Sequence, residues 1–464
     1  MRVLIVLLIT LVACQVPGQR NPVAMRPIID AHPPVPVPAS ATDPRQRANV
    51  VLVPLVDHHR HLQSPAAARR GAEPPHRAAE LPEDLAALLH ERTQRWNDGF
   101  SLAGLYTEHS TLLDPTGPRW IRGRLAVANR VAQFFRAAYR VTPVAWGKDG
   151  SAGHVAGYFT RKDGVSTRYL GHVLLSLEKG DDGAWRIAAE TPLFAGPVTP
   201  QPITAEQLVA QLDAAGIRRA VVLSLAYWFG SPSGEPVQDE YAMVRAENDW
   251  TAAEAARFPD RLVAFCSFNP LKDYALGEVE RCAEHPHLVG LKLHFANSGV
   301  DVRNPAHLDR LRRVFRAANG HGLPIVAHLW VPDETYGREH SEIFLDRILT
   351  EAPDVVVQIA HFAGGGPGYS DDALAVFAEA ISAGDPRTRN LYFDVTSVAD
   401  GRRSEELMRS FAMRIREVGL ERVLFGSDMA PPPAWQPWIN FRMTVPLTGD
   451  EFRTIADNIA PYLR

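Results

Sequence analysis

The chain has 464 residues, with 49 Lys or Arg and 53 Asp or Glu, so its formal net charge is −4 at pH 7. This length exceeds a single ordinary core, and we expect two folded domains. The charge is nearly balanced and the sequence has no stripe dense in Lys and Arg. That balance argues against a nucleic-acid partner and favours a small, uncharged or mildly polar substrate.

Residues 1–13 predict a signal peptide. The stretch "MRVLIVLLITLVACQ" contains one Arg followed by an apolar run that is too short to span a bilayer. The run ends in "LVAC", which resembles a bacterial lipobox and implies cleavage before Cys14 and attachment of a lipid to its thiol. An ordinary secretory signal is the alternative. We therefore expect an exported lipoprotein of the bacterial cell envelope that faces the periplasm and touches the membrane only through this anchor.

Residues 14–48 contain "HPPVPVP" and lack periodicity, which predicts a Pro-rich tether. Residues 49–74 begin with a β-branched run that leads into "DHHRH". Because successive side chains of a strand point to opposite faces, we expect Asp57, His59 and His61 to share one face. Two imidazoles on that face could bind one cation. The H-x-H pattern also arises by chance, so it needs support from the rest of the chain.

Residues 75–196 have the pattern of an inserted α+β domain. A helix-like stretch is followed by alternating strand-like runs, two of which end at Asp-Gly turns. Trp96 and the stretches "LYTEH", "RGR" and "GHVLLSL" resemble the NTF2-like cone fold of the SnoaL type. The resemblance implies a cone that either encloses a small ligand or forms a dimer surface. His172 and Asp114 could line a pocket, but we expect packing or capping roles for both.

Residues 197–464 alternate short β-branched runs with amphipathic, helix-period stretches. The predicted strands are 218–225, 261–268, 288–295, 323–329, 355–362, 390–397 and 422–428. Strands that are apolar on both faces and alternate with helices indicate a parallel sheet of βα units. Adding the upstream strand at 49–59 predicts an α/β fold, a (β/α)8 TIM barrel that carries the inserted domain. A doubly wound open sheet is the alternative, but no Gly-rich phosphate turn follows the first strand.

Polar side chains close many of these predicted strands. They are His59, His61, Lys292, His294, His328, His361 and Asp428. In such a barrel the carboxyl ends of the strands form the active site, so these side chains should lie together. Burying them without partners would be costly, and a shared metal ion would stabilise them. We therefore predict a metal site at this end of the barrel.

This set of motifs resembles the amidohydrolase superfamily, specifically the amidohydrolase-2 group that includes aminocarboxymuconate-semialdehyde decarboxylase. "DHHRH" matches the group's D-x-H-x-H, "PIVAHL" and "IAHFAGGG" match its histidines on strands 5 and 6, and "LFGSD" matches its strand-8 aspartate. The resemblance covers residues 49–65 and 197–464. It implies an enzyme that uses a bound metal to activate water and polarise a substrate carbonyl.

The resemblance also implies a role for each matching residue. The metal ligands would be His59, His61, His328 and Asp428, and the metal would most often be zinc. His361 would hydrogen-bond the metal-bound water or a substrate oxygen. Asp428 could in addition accept the proton of that water, so we predict His361 and Asp428 as the catalytic residues. Asp57 would orient one of the ligating histidines from the second layer of contacts.

Lys292 and His294 are predicted to bind substrate. Binuclear relatives carry a carboxylated lysine on strand 4, so a second metal held by Lys292 is the alternative to a lysine that binds a substrate carboxylate. His294 could instead join the metal ligands. Glycines 364–366 either let the backbone approach the substrate or form a plain turn. Trp330 and Trp435 either wall the pocket or serve as packing residues.

The leading functional hypothesis is a metal-dependent hydrolase of a small ester, lactone or amide. The alternative is a decarboxylase or hydratase of an aromatic or muconate-type acid, and a non-catalytic ligand-binding lipoprotein is a third hypothesis. The inserted domain could control substrate access or form a homodimer. Cys266 and Cys282 could form a disulfide in an oxidising compartment, but we expect two buried free thiols.

Overall fold

A computed structural model of the chain describes residues 52–71, 78–114, 119–133, 139–163, 166–194, 201–234, 236–365, 369–399, 404–429 and 433–464. The predicted signal peptide, Cys14 and the tether lie outside these residues and stay predictions, as do the exact domain boundaries.

Fatty-acid labelling of cells that express the wild-type chain or Cys14→Ser would test the predicted lipid anchor. We expect label on the wild type only, and label on the variant would contradict the anchor. Within the described ranges, no helix is both long and apolar enough to cross a membrane.

The secondary structure alternates between strands and helices over most of the described chain. The strands are β1 (Val56–Arg60), β2 (Tyr106–Leu113), β3 (Trp120–Arg122), β4 (Tyr139–Asp149), β5 (Ala152–Asp163), β6 (Ser166–Lys179), β7 (Trp185–Phe194), β8 (Arg219–Leu223), β9 (Leu262–Ser267), β10 (Leu288–His294), β11 (Ile325–His328), β12 (Val357–Ile359), β13 (Leu391–Asp394) and β14 (Val423–Leu424). The α-helices are α1 (Pro65–Gly71), α2 (Glu83–Asn97), α3 (Arg124–Gln133), α4 (Ala205–Ala215), α5 (Glu240–Ala256), α6 (Ala275–Glu284), α7 (Phe295–Ser298), α8 (Pro305–Gly320), α9 (Arg338–Ile343), α10 (Asp371–Ser382), α11 (Glu405–Val418), α12 (Gln436–Thr444) and α13 (Gly449–Asp457).

Eight of these strands form a parallel sheet in the order β1-β8-β9-β10-β11-β12-β13-β14. Backbone hydrogen bonds join the segment directly after β14 to β1. The His58 N–H donates to the Phe425 carbonyl at 2.8 Å, and the Asp428 N–H donates to the His59 carbonyl at 2.7 Å. The sheet is therefore a closed barrel. This confirms the predicted TIM barrel and excludes the doubly wound open sheet.

The barrel strands are present where the sequence predicts them, although most are shorter than the apolar runs. Three of them, β12, β13 and β14, end at Ile359, Asp394 and Leu424 and are followed within a few residues by left-handed backbone at His361, Ser397 and Asp428, with φ of 52°, 58° and 66°. Such conformations cannot continue a strand. The chain therefore turns away early, and the polar residues of these runs lie in the loops at the carboxyl ends.

The inserted segment forms a second sheet in the order β3-β2-β7-β6-β5-β4. Helices α2 and α3 cover it and share its separate core with residues such as Trp96 and Phe159, which confirms the predicted α+β cone. The sequence analysis did not predict β2 or β4. Strand β4 lies at the sheet edge and contains Pro143, which weakens a strand pattern and is tolerated at an edge. Asp114 forms an ion pair with Arg130.

His172 was considered as a pocket residue of the cone. Its side chain is exposed on β6, so it does not line an enclosed pocket.

Cys266 of β9 and Cys282 of α6 are joined by a disulfide bond, so the expectation of two free thiols was wrong. Their Cα atoms are 6.2 Å apart, which lies within the range that disulfides span. Helix α6 packs against the neighbouring strand β10 and brings Cys282 onto β9. This pairing depends on a tertiary contact that residue spacing alone does not reveal.

The close packing inside the barrel generates a stability prediction. A Cβ at Gly290 of β10 would lie 2.5 Å from Phe265 Cε2 and 2.7 Å from the Pro324 carbonyl oxygen. We expect Gly290→Ala to lower the free energy of unfolding by about 1 to 3 kcal/mol through overpacking. A Cβ at Gly277, inside α6, would meet nothing within 4 Å. Gly277→Ala is the control and should stabilise by about 0.5 to 1 kcal/mol. Urea unfolding measures both, and equal effects would contradict this packing.

Candidate metal centre

His59, His61 and Asp428 form a group of possible metal ligands at the carboxyl end of the barrel strands. One ligand atom from each lies within 4.8 Å of the others. Nδ1 of His61 donates to the Leu223 carbonyl at 2.7 Å, and Nδ1 of His59 lies 3.2 Å from the Asp394 carboxylate. Both acceptors fix the proton on Nδ1, which leaves the lone pair of each Nε2 available to a cation.

The "LFGSD" stretch places Asp428 against the first strand. Its N–H donates to the His59 carbonyl, and its Oδ1 lies 3.6 Å from His61 Nε2. Ser397 Oγ donates to the other carboxylate oxygen at 3.3 Å. The glycine of the motif is needed for this approach, because a Cβ at Gly426 would lie 2.6 Å from the Cβ of His59.

These residues fit a divalent metal ion. Tetrahedral ligands about 2.1 Å from zinc lie about 3.4 Å from one another, close to the 3.6 Å between His61 Nε2 and Asp428 Oδ1. Two neutral imidazoles and one carboxylate form a donor set that zinc and other divalent metals accept. Burial lowers the pKa of His61 to about 3, with a further contribution from His59, which keeps the His61 imidazole neutral.

His361 lies beside this group in a strained backbone conformation. Its φ of 52° is followed by φ of 51° at Phe362 and 63° at Ala363, and all three residues are buried. Its Nδ1 donates to the Thr396 carbonyl at 2.8 Å, and its ring centroid is 4.8 Å from that of His59. Burial lowers the pKa of His361 to about 4. Strained backbone of this kind clusters at functional sites.

His328 and His294 form a stacked pair next to the cluster. Their ring centroids are 3.8 Å apart with planes at 15°, and Tyr227 packs on His294 at 4.9 Å. His294 Nδ1 accepts from the Asn297 N–H, so the proton of its neutral ring is on Nε2. His328 is not part of the three-residue group. Its buried Nδ1 has no hydrogen-bond partner within the described part of the chain, so His328 is the residue best suited to complete a ligand set.

Lys292 reaches into the same cluster. Its side chain is 1% exposed, and Nζ lies 3.3 Å from His59 Nε2, to which it can donate. Burial lowers the pKa of Lys292 to about 8, although Asp394 and Asp428 oppose this shift. A cationic group thus lies among the ligands that a metal would use.

Two aspartates differ from the sequence-based expectation. Asp57 accepts from both the N–H and Oγ of Ser427 and from the backbone N–H of His59 at 3.3 Å. Its contact with a candidate ligand is therefore through the backbone, and its orienting role stays a prediction. The β1 register shifts between Asp57 and Arg60, which breaks the simple alternation. The carboxylate that holds an imidazole is Asp394. Asp394 closes an apolar strand run as the other candidates do, and this signal could have identified it.

His58 and Arg60 face away from the cluster and tie β1 to its surroundings. Nδ1 of His58 donates to the Phe425 carbonyl at 3.2 Å, and its Nε2 accepts from the Ala460 N–H at 3.1 Å. Arg60 donates to Ser427 Oγ at 3.0 Å. These contacts give both residues a structural role.

The glycine loop after β12 makes room for an aromatic side chain. A Cβ at Gly365 would lie 2.8 Å from Cδ2 of Trp330, so a larger residue there would displace the indole. Trp330 is half-buried, and its ring lies 6.3 Å from that of His328. Gly366 lies outside the described residues. Trp435 is half-buried and packs against the barrel core.

Comparisons with known proteins bear on both parts of the fold. Solved structures similar to the barrel include 5-carboxyvanillate decarboxylase from Novosphingobium aromaticivorans, complexed with manganese and 4-hydroxy-3-methoxy-5-nitrobenzoic acid, at 14% identity over 54% of this chain and 77% of that chain, with a TM-score of 0.38. Another is 2,6-dihydroxybenzoate decarboxylase from Rhizobium, at 16% identity over 54% and 84%, with a TM-score of 0.35. An NTF-2 like protein of unknown function from Shewanella oneidensis matches at 20% identity over 24% and 97%, with a TM-score of 0.21.

A search of curated proteins returned no match. A family model described as amidohydrolase matches residues 169–442, which include all the residues of the candidate centre except those of β1 and its loop. This match spans more than half of the chain, and the protein therefore belongs to the amidohydrolase family.

Proposed function

We propose that this protein is a metal-dependent enzyme that removes CO2 from a small aromatic or conjugated carboxylic acid. The observation that carries the proposal is the Lys292 ammonium group, which is buried and lies 3.3 Å from His59 Nε2. A buried ammonium is costly unless it meets a strong acceptor. When a metal takes the lone pair of His59, Lys292 loses that acceptor and becomes available to a substrate carboxylate.

The wall of the site favours a flat substrate. The rings of His294 and His328 stack on each other. Tyr227 packs on the ring of His294, and Trp330 lies next to His328. Aromatic rings of this kind bind planar, conjugated molecules through offset or edge contacts. Together with Lys292, they provide one cationic and one aromatic contact, which is the combination that an aromatic acid requires.

His59, His61 and Asp428 would hold the metal, with His328 as the further ligand. A divalent metal bound there would supply a Lewis acid for a substrate oxygen and for water. Lys292 would hold the carboxylate and orient the ring. Decarboxylation delivers a proton to the ring carbon, the bond to the carboxylate breaks, and its electrons return to the ring as CO2 leaves.

The proton for this exchange must come from a titratable group beside the substrate. His361 and Asp428 are the groups in position, since His361 packs against His59 and Asp428 lies beside His61. His361 presents Nε2, because its Nδ1 is bound to the Thr396 carbonyl. Neutral His361 has its ring proton on Nδ1 and Asp428 is ionised, so we propose that one of them first takes a proton from water and then passes it to the ring carbon. The hydroxide left behind combines with the released CO2 as bicarbonate.

Hydrolysis of an ester, lactone or amide is the second candidate function. Two proton acceptors at the site favour hydrolysis. Nε2 of neutral His361 and the Asp428 carboxylate can both take a proton from water. Burial acts to raise the pKa of Asp428, but the neighbouring His361 and His59 hold it below its usual range. The metal would be zinc or manganese, and we favour zinc because most of the proposed ligands are imidazoles.

The metal site generates the first functional prediction. We expect the purified chain to bind one equivalent of divalent metal, and His61→Ala to weaken that binding roughly 100-fold or more and to reduce turnover to background. His321→Ala, at an exposed histidine, is the control and should change neither. Elemental analysis and chelator competition measure the affinity. A fully metal-loaded His61→Ala protein would contradict the assignment, and two equivalents in the wild type would support a metal-bridging Lys292 instead.

The proposed reaction leads to a second functional prediction. A panel of hydroxybenzoates and muconate-type acids should release CO2, and Lys292→Met should reduce kcat/KM by roughly 30-fold or more, because losing one partner of a buried charge pair costs about 2 to 5 kcal/mol. Lys272→Met is the matched control, since Lys272 pairs with Glu240 away from the cluster. The same proteins are assayed on esters, lactones and amides. Hydrolysis of these without any CO2 release would reject the decarboxylase in favour of the hydrolase.

A further inference from the structure

A chain of hydrogen bonds runs from the C-terminus to the candidate metal ligand His59. The Tyr462 hydroxyl donates to Gln358 Oε1 at 2.6 Å, and Gln358 Nε2 donates to Asp394 Oδ2 at 2.7 Å. The same carboxylate oxygen lies 3.2 Å from His59 Nδ1. We propose that Tyr462 is a positioning residue of the metal centre, acting through Gln358 and Asp394. This inference rests on the proposed metal site.

Asp394 is the point at which the chain meets the site. Its carboxylate is fully buried and also accepts the N–H of His361 at 3.0 Å and that of Thr396 at 3.3 Å. It therefore fixes the ring of His59 and, through the backbone, the strained start of the His361 loop. Carboxylates that orient a metal-binding imidazole in this way strongly affect metal affinity.

Gln358 can transmit the position of Tyr462 because its amide has one consistent orientation. It lies in the middle of β12 and is fully buried. The reversed amide would direct its carbonyl oxygen at the Asp394 carboxylate, which cannot donate, and its NH2 group at the Tyr462 hydroxyl. Gln358 Nε2 also donates to the His58 carbonyl at 3.4 Å. Each group of the chain is therefore bound in a single direction, and removing the Tyr462 hydroxyl takes away the partner of Gln358 Oε1 and loosens the amide that holds Asp394.

The tail that carries Tyr462 is itself held at the end of the barrel where the strands begin. Arg219, the first residue of β8, donates to the Leu463 carbonyl at 3.2 Å. The Tyr462 ring packs on Phe265 with centroids 5.3 Å apart. The Ala460 N–H donates to His58, the neighbour of His59, at 3.1 Å. The last residues of the chain thus contact β1 beside the metal ligand and reach Asp394 through the barrel interior.

The test compares metal affinity in full-length Tyr462→Phe, Asp394→Asn and Gln358→Met. Tyr462→Phe keeps the ring and removes the hydroxyl only, and Gln358→Met interrupts the same chain with a side chain of similar length. We expect Asp394→Asn to weaken Zn²⁺ binding 10- to 100-fold. Tyr462→Phe and Gln358→Met should weaken it about 3- to 10-fold, a part of the effect that such outer partners have. Tyr274→Phe, which removes the hydroxyl of a half-buried tyrosine bound to Glu240, is the control.

Two readouts separate positioning from stability. Zn²⁺ affinity is measured by competition with a chromogenic chelator, and the visible spectrum of the Co²⁺-loaded protein reports the ligand geometry. The effect of Tyr462→Phe should vanish in the Asp394→Asn background, because both act on one chain. A Tyr462→Phe protein with wild-type affinity and spectrum, but a lower melting temperature, would overturn the inference. A wild type that binds no metal would instead overturn the proposed function.

Discussion

The interior of the barrel holds more buried polar groups at its carboxyl end than their mutual hydrogen bonds can satisfy. Imidazoles, an ammonium group and the Asp394 carboxylate are shielded from water there, and each needs a hydrogen-bond or ionic partner in place of its lost hydration. Leu223 and Asp394 each hold the Nδ1 of one histidine, so the Nε2 lone pairs of His59 and His61 lie near Asp428, and Lys292 Nζ can donate to that of His59. A cation at that point satisfies all three, and the rest of the site is arranged around this requirement.

The barrel and most of the candidate ligands could be predicted from the sequence because their signals are local. Apolar runs that close on a polar residue identify both the strand and the end at which the residue lies, as with His328 and Asp428. The cone also followed from local patterns, except for strand β2 and the Pro-containing edge strand β4. Periodicity contains this information, since one strand or helix repeats one spacing.

Other features depend on tertiary contacts and could not be predicted. Asp57 contacts His59 through the backbone N–H, and the register of β1 shifts between Asp57 and Arg60, which alternation does not anticipate. The Cys266–Cys282 disulfide depends on how α6 packs. The path from Tyr462 to His59 joins residues about four hundred positions apart. Only Asp394 carried an overlooked local signal, since it closes an apolar strand like the other site residues.

The backbone and the polar network of the site stabilise each other. Left-handed conformations at His361, Ser397 and Asp428 are unfavourable for residues with side chains. The Asp394 carboxylate binds the His361 N–H, and Ser397 binds Asp428. Residues held in this way are pre-organised for a ligand, because little rearrangement is required when it binds.

The most direct test of the central claim is a crystal structure of the zinc-loaded protein with anomalous diffraction measured at the zinc edge. The account predicts one strong peak about 2.0 to 2.2 Å from His59 Nε2, His61 Nε2 and the Asp428 carboxylate. Lys292 should then no longer donate to His59. An ion bound elsewhere, with Lys292 still hydrogen-bonded to His59 Nε2, would contradict it.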